Sequence, residues 1–234
     1  MAKPTRPWIV TRHDPLEKLE DNLWAVQGDI PGVPMSRRMC IIRRADGTLL
    51  FYNAMPLDEK ALEEVKAWGK PAILLVAHDQ HMIDARPFAE KLELKVFGPK
   101  ECEAKIRARI ELSGTLEDVP SDPAIQIETA AGAKTGEPVL AVTSAGGRVS
   151  LLCSDVLMNA RPQSMGLFPR LLGFSGPLKV VPIFRMFLLK DKKALKAQIQ
   201  RWSELPGLER VVPFHGDIIT SGVSQALRAA SAPL

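Results

Sequence analysis

Residues 71–84 read PAILLVAHDQHMID, an apolar run of strand length over 72–77 followed at once by His78 and His81. A short buried strand that ends in His-x-x-His delivers two imidazoles to a sheet edge, where loops carry chemistry. The chain has 4 histidines in all, so this one stretch holds half of them. Two later apolar runs also end in polar groups: 149–153 leads into Ser154-Asp155, and 211–214 leads into His215-Gly216-Asp217. Neutral imidazoles and a carboxylate from three strand ends suit zinc, iron or manganese. Three protein ligands with one open position describe a catalytic metal site.

The 234 residues supply ample material for a core, and 46% hydrophobic with 25% charged residues is ordinary for a soluble globular protein. A net charge of +4, from 31 basic and 27 acidic residues, is too small and too scattered to argue for nucleic acid. The pairs Arg37-Arg38 and Arg43-Arg44 and the run 190–193 read as solvated faces. Cys40, Cys102 and Cys153 are odd in number and lack C-x-x-C spacing, which fits neither a disulfide framework nor a zinc finger and points to a reducing compartment. The first residues carry no continuous apolar segment of the secretory kind, and no charge-free run reaches bilayer length. The expectation is a cytoplasmic protein that acts on a small molecule, with no nucleic-acid partner and no transmembrane segment. Oligomeric state is not legible.

Working outward, strands are expected over 22–27, 39–43 and 49–52, with the glycine- and proline-containing 28–36 as a loop and 45–48 as a hairpin turn. Asp58 is placed to cap a helix over 59–68, with further helices over 85–92 and 100–110 and a strand over 94–97. Residues 114–122 read as loop, and strands are expected over 123–128, 138–143, 149–153 and 211–214. Extended chain is expected over 180–184, then a helix capped by Asp191 with Leu195, Ile199 and Trp202 on one face. Thr220 or Ser221 is placed to cap a closing helix with Val223, Leu227 and Ala230 inward. The segment 159–187 is rich in glycine, proline and serine yet carries apolar residues, and reads as a loop or lid within a single domain spanning 1–234. The alternatives for its apolar residues, over 158–187, are a pocket wall, a dimer contact, or a membrane-surface contact rimmed by Arg161, Arg170, Lys179 and Arg185.

The order of a strand-end histidine pair, a strand-end Asp and a near-terminal His-Gly resembles the metallo-β-lactamase fold superfamily over most of the chain. The family's meander, helix and strand ending in H-x-H-x-D-H are matched by NLWAVQ, MCIIRR, LLFYN and then Val76-Ala77-His78-Asp79-Gln80-His81, with Phe88 and VFGP (96–99) following at about the family's distances. Its Gly-Asp is matched by Ser154-Asp155 and its last metal histidine by His215. The resemblance implies an α/β (α+β) chain folded as a four-layered αββα sandwich with its site at one edge of the two sheets. The departures are specific. Val76 stands at the first histidine, Gln80 at the aspartate, and AAGAKTGEP offers only Ala133 or Lys134 where a His after Gly is due. A one-gap shift would instead set Asp84 against the family's aspartate.

By this carry-over one metal position keeps His78 and Asp155, while the other keeps His81, Asp155 and His215, with Gln80, Asp79 or His78 as further help. The implied activity is that of a metal-dependent hydrolase with at most a mononuclear site, using metal-bound water on an ester, lactone, thioester or amide. The ion is one divalent metal, zinc first and iron or manganese next, with Asp155 and His78 also as catalytic groups. The alternative is a non-catalytic member of the fold that binds no metal and serves as a binding or scaffold module. Cys153 is expected in the core, His13 in the scaffold and Lys134 in an exposed turn.

Overall fold

The computed structural model describes residues 7–160, 171 and 173–234. Residues 161–170 and 172 of the expected lid, with Arg161 and Arg170, lie outside the described residues. Strands β1 (Glu17–Lys18), β2 (Leu23–Ile30), β3 (Val33–Arg43) and β4 (Thr48–Tyr52) are antiparallel neighbours. Strands β5 (Lys70–Leu75), β6 (Lys95–Gly98) and β7 (Gly114–Thr115) then add in parallel, giving a 7-stranded sheet in chain order. The second sheet has 4 strands in the order β11-β10-β9-β8. Its members β8 (Ile125–Thr129), β9 (Pro138–Thr143) and β10 (Val149–Cys153) are antiparallel, and β11 (Leu208–Pro213) lies parallel to β10.

Alternation along the strands divides the interior into three cores. On β2, Leu23 and Ala25 face the space between the sheets, whereas Trp24 and Val26 face outward. The outward side is covered by α1 (Glu59–Trp68), α2 (Ala85–Leu92) and α3 (Glu103–Arg107), through Leu62, Val65, Phe88 and Ile106. On β10, Leu152 faces the first sheet, while Leu151 and Cys153 face α4 (Lys192–Trp202) and α5 (Val223–Ser231). Helix, sheet, sheet and helix thus stack as four layers. Each fully buried Leu, Ile or Phe contributes about 1.5–3 kcal/mol. Two of the three expected caps form: Asp58 Oδ1 accepts the Ala61 N–H at 2.8 Å and Asp191 Oδ1 that of Ala194 at 2.9 Å.

Several local expectations are corrected. The segment 28–36 is no open loop, because β2 and β3 continue to a two-residue turn at Pro31-Gly32, where Gly32 takes φ 76°. The extended chain expected over 180–184 gives way to one π-helical turn, Phe184–Leu188, which buries Phe184 and exposes Met186 and Phe187. The helix expected over 100–110 is split into a 3-10 turn, Lys100–Cys102, and α3. Residues 114–122 contain β7 and a 3-10 turn at Leu116–Asp118. Helix α5 is entered through Gly222 at φ 59°, not capped by Thr220 or Ser221. Arg37, Arg38 and Arg44 are buried, not solvated, and only Arg43 of the two pairs is exposed. Cys40, Cys102 and Cys153 are all free and buried, and burial pushes the Cys40 thiol up to about 12. Among the described residues no helix is long and apolar enough to cross a membrane.

Candidate metal centre

Strand directions bring the polar strand ends together. Strand β5 ends at Leu75 and releases the loop that carries His78 and His81; β10 ends at Cys153 before Ser154-Asp155; β11, parallel to β10, ends just before Phe214-His215. Because β9 runs antiparallel to β10, its start lies beside the end of β10, so Glu137 enters the same edge. The loop after β5 is fixed by Asn53, at φ 63°, whose Oδ1 accepts the Ala77 N–H, and by a turn in which His81 N–H donates to His78 O. The His215 loop is held by buried Arg38, which donates to Pro213 O and Gly216 O at 2.5 and 2.8 Å.

Asp155 is the hub. Its Oδ2 lies 3.1 Å from His78 Nε2 and 3.3 Å from His81 Nε2, and its Oδ1 lies 3.5 Å from His215 Nε2. Donor atoms of His78, His81 and Asp155 all fall within 4.8 Å of one another, whereas His215 reaches the group through Asp155. Ligands placed tetrahedrally around an ion at 2.0–2.1 Å stand about 3.3–3.4 Å apart. The His81 and His215 spacings to Asp155, 3.3 and 3.5 Å, lie close to that separation. Asp155 Oδ1 is buried and has no hydrogen-bond partner among the described residues, as a group awaiting a cation would be. The residues fit a divalent ion.

The hydrogen bonds on the far side of each ring set its tautomer. His215 Nδ1 is 2.7 Å from Ser36 O, a carbonyl that only accepts, so Nδ1 carries the proton and Nε2 offers its lone pair to the Asp155 side. Ser154 Oγ, 3.0 Å from His81 Nδ1, can accept in the same way, and His81 is stacked on Phe214 at 4.1 Å. Burial, ahead of the opposing pull of Asp155, lowers His81 to about 4 and lowers His215 as well, which favours the neutral imidazole. His78 differs. Burial pulls it down, but the hydrogen bond and charge of Asp155 and the charge of Glu137 outweigh this and raise it. Burial alone would raise Asp155; His81 and His78 outweigh it and hold the carboxyl well below the usual range.

The sequence reading missed Glu137. It is fully buried, accepts the Val156 N–H on Oε1 at 2.5 Å, and points Oε2 to within 4.0 Å of His78 Nε2. Burial, then the Asp155 charge, pushes it up to about 8. The signal was present: Gly136-Glu137 stands in the segment expected to hold a His after a Gly. Asp79 turns away, accepting from Cys102 Sγ at 3.2 Å and facing Lys105 at 3.4 Å. Val76 is buried in the outer core of the first sheet, and Lys134 Nζ donates to Phe187 O. His13 Nε2 accepts the Asp58 N–H ahead of α1, and Cys153 packs in the core against α4 and α5.

No family model matches the sequence, and no curated protein matches it. Solved structures do match. The DIM-1 metallo-beta-lactamase superposes with a TM-score of 0.64 at 11% identity, covering 95% of this chain and 99% of its own. The metallo-beta-lactamase from Hirschia baltica gives 0.59 at 14% identity, covering 93% and 98%. The fold is that of the metallo-β-lactamases. The metallo-beta-lactamase from Pontibacter korlensis agrees, with a TM-score of 0.61 at 11% identity over 95% of this chain and all 100% of that one. At such identities the likeness is one of fold. Within it, His78, His81, Asp155 and His215 meet at one edge of the two sheets.

Proposed function

We propose that the protein is a metal-dependent hydrolase acting on a small molecule with an ester, lactone, thioester or amide bond, through one divalent ion, with zinc as the first candidate. The observation that carries this reading is the spacing of His81 Nε2 and His215 Nε2 about the two oxygens of Asp155, 3.3 and 3.5 Å, with Asp155 Oδ1 otherwise without a partner. A bound ion would supply Lewis acidity, activating water and polarising a carbonyl oxygen. His81, Asp155 and His215 would hold it, with His78 against Asp155. Ser154 and the Ser36 carbonyl orient the rings, a supporting role that preserves metal affinity. Asp155 is the most open of the group at 22% side-chain exposure, which leaves a solvent-facing side for a substrate.

The test is zinc content after purification and controlled titration. Wild type should hold about one equivalent, and H81A or H215A should lose it while staying folded. A chelator-treated wild type that takes up no zinc, iron or manganese would overturn the proposal. That outcome would favour a second reading, a member of the fold retained as a binding module, for which the burial of Val76 in the core is the supporting observation.

A further inference from the structure

His78 and Glu137 form a buried pair that the single-ion reading leaves unused. His78 is 1% and Glu137 0% exposed at the side chain. The backbone N–H of Gln80 donates to His78 Nδ1 at 3.3 Å, and an N–H can only donate. Nδ1 is therefore the acceptor nitrogen and Nε2 carries the proton. That Nε2–H lies 3.1 Å from Asp155 Oδ2, with Glu137 Oε2 at 4.0 Å on the same nitrogen. Glu137 Oε2 has no hydrogen-bond partner among the described residues, while its Oε1 is anchored by the Val156 N–H, one residue past Asp155. A nitrogen that carries a proton has no lone pair for a metal. His215, whose Nδ1 faces a carbonyl, has the opposite arrangement.

We infer that His78 is a positioning residue rather than a metal ligand: its Nε2–H, set by the Gln80 amide and backed by Glu137, holds Asp155 Oδ2 in the orientation in which Asp155 meets the ion. The inference rests on the metal-centre reading for Asp155, but the chain Gln80 N–H, His78, Asp155 with Glu137 behind it stands on its own geometry. It gives a reason for a fully buried acidic side chain at a sheet edge. It also fills the position at which the family resemblance leaves only His78 and Asp155.

Three measurements on the protein test it. Two-bond nitrogen–proton correlation spectra of chelator-treated wild type should show His78 with its proton on Nε2 and His215 with its proton on Nδ1. Zinc competition should show that H78Q, which keeps a donor near the Nε2 position, still binds one equivalent with affinity reduced about ten- to hundredfold, against complete loss in H81A or H215A. E137Q, which keeps the shape and the Val156 contact, should weaken zinc binding in the wild-type background and have no further effect in H78A, because Glu137 acts through His78. A proton on His78 Nδ1, complete loss of zinc in H78Q, or additive effects of E137Q and H78A would each overturn the inference. Should wild type bind no zinc, the metal-centre reading fails by itself, and the spectra still decide the His78 arrangement.

Discussion

At the scale of single residues the site is a set of groups whose surroundings push them apart. Glu137 is an acid raised from 4.5 to about 8, while His81 is a base lowered from 6.5 to about 4. The consequences for the metal-free fold have opposite signs. Above 4.5 the unfolded Glu137 has already lost the proton that the folded one keeps, so stability present below about pH 4.5 is lost as pH rises through about 8. The His81 contribution is present above 6.5 and lost as pH falls through about 4, where the unfolded chain takes up the proton first. Replacing Glu137 by Gln removes the first effect alone. In urea unfolding of chelator-treated protein, E137Q should gain on wild type by on the order of a few kcal/mol between pH 5 and pH 8. An equal difference at both pH values would contradict the assignment.

At the scale of elements, the loop that carries both histidines is clamped by an ion pair. Arg37 on β3 donates to Asp84 Oδ2 at 2.6 Å, just before α2, with side chains 5% and 1% exposed. Removing one partner of such a pair leaves a buried charge, so R37M should cost about 3–5 kcal/mol in denaturant unfolding; a loss below about 1 kcal/mol would mean that the clamp does not hold the loop. The same residue marks the limit of reading the sequence. Periodicity and capping residues gave α1 and α2 to the residue, because those signals are local: Asp58 ahead of Leu62 and Val65, and Ala85–Leu92 with its buried face. The strands β9 and β10 were equally legible as apolar runs ending in turn residues. Two adjacent arginines carry no mark of burial, since their partners lie 47 residues away for Arg37 and 175 for Arg38. Glu137 escaped for a similar reason. Its role comes from β9 running antiparallel to β10, which no local pattern states.

At the scale of the whole molecule, the αββα stack matters because it fixes the relative position of two sheets whose edges both contribute to the cluster. His78 and His81 follow the first sheet, while Asp155, His215 and Glu137 belong to the second. Besides the bonds of Arg38 and His215, Tyr52 Oη on β4 joins the layers close to the site, donating to Pro138 O, the first residue of β9, at 2.6 Å. Y52F leaves that buried carbonyl without its donor and should lower stability by about 1–3 kcal/mol, measured by thermal or urea unfolding. It should also weaken zinc binding, because Pro138 adjoins Glu137. A destabilised Y52F with unchanged zinc affinity would separate the sheet contact from the site.

The most direct test of the central claim, that the shared edge of the two sheets is a metal centre, is anomalous diffraction at the zinc edge from crystals of the protein titrated with zinc. The account predicts a single strong peak within bonding distance of His81 Nε2, Asp155 and His215 Nε2, with His78 Nε2 still hydrogen-bonded to Asp155. An edge without any peak, in protein that elemental analysis also finds free of metal, would contradict it.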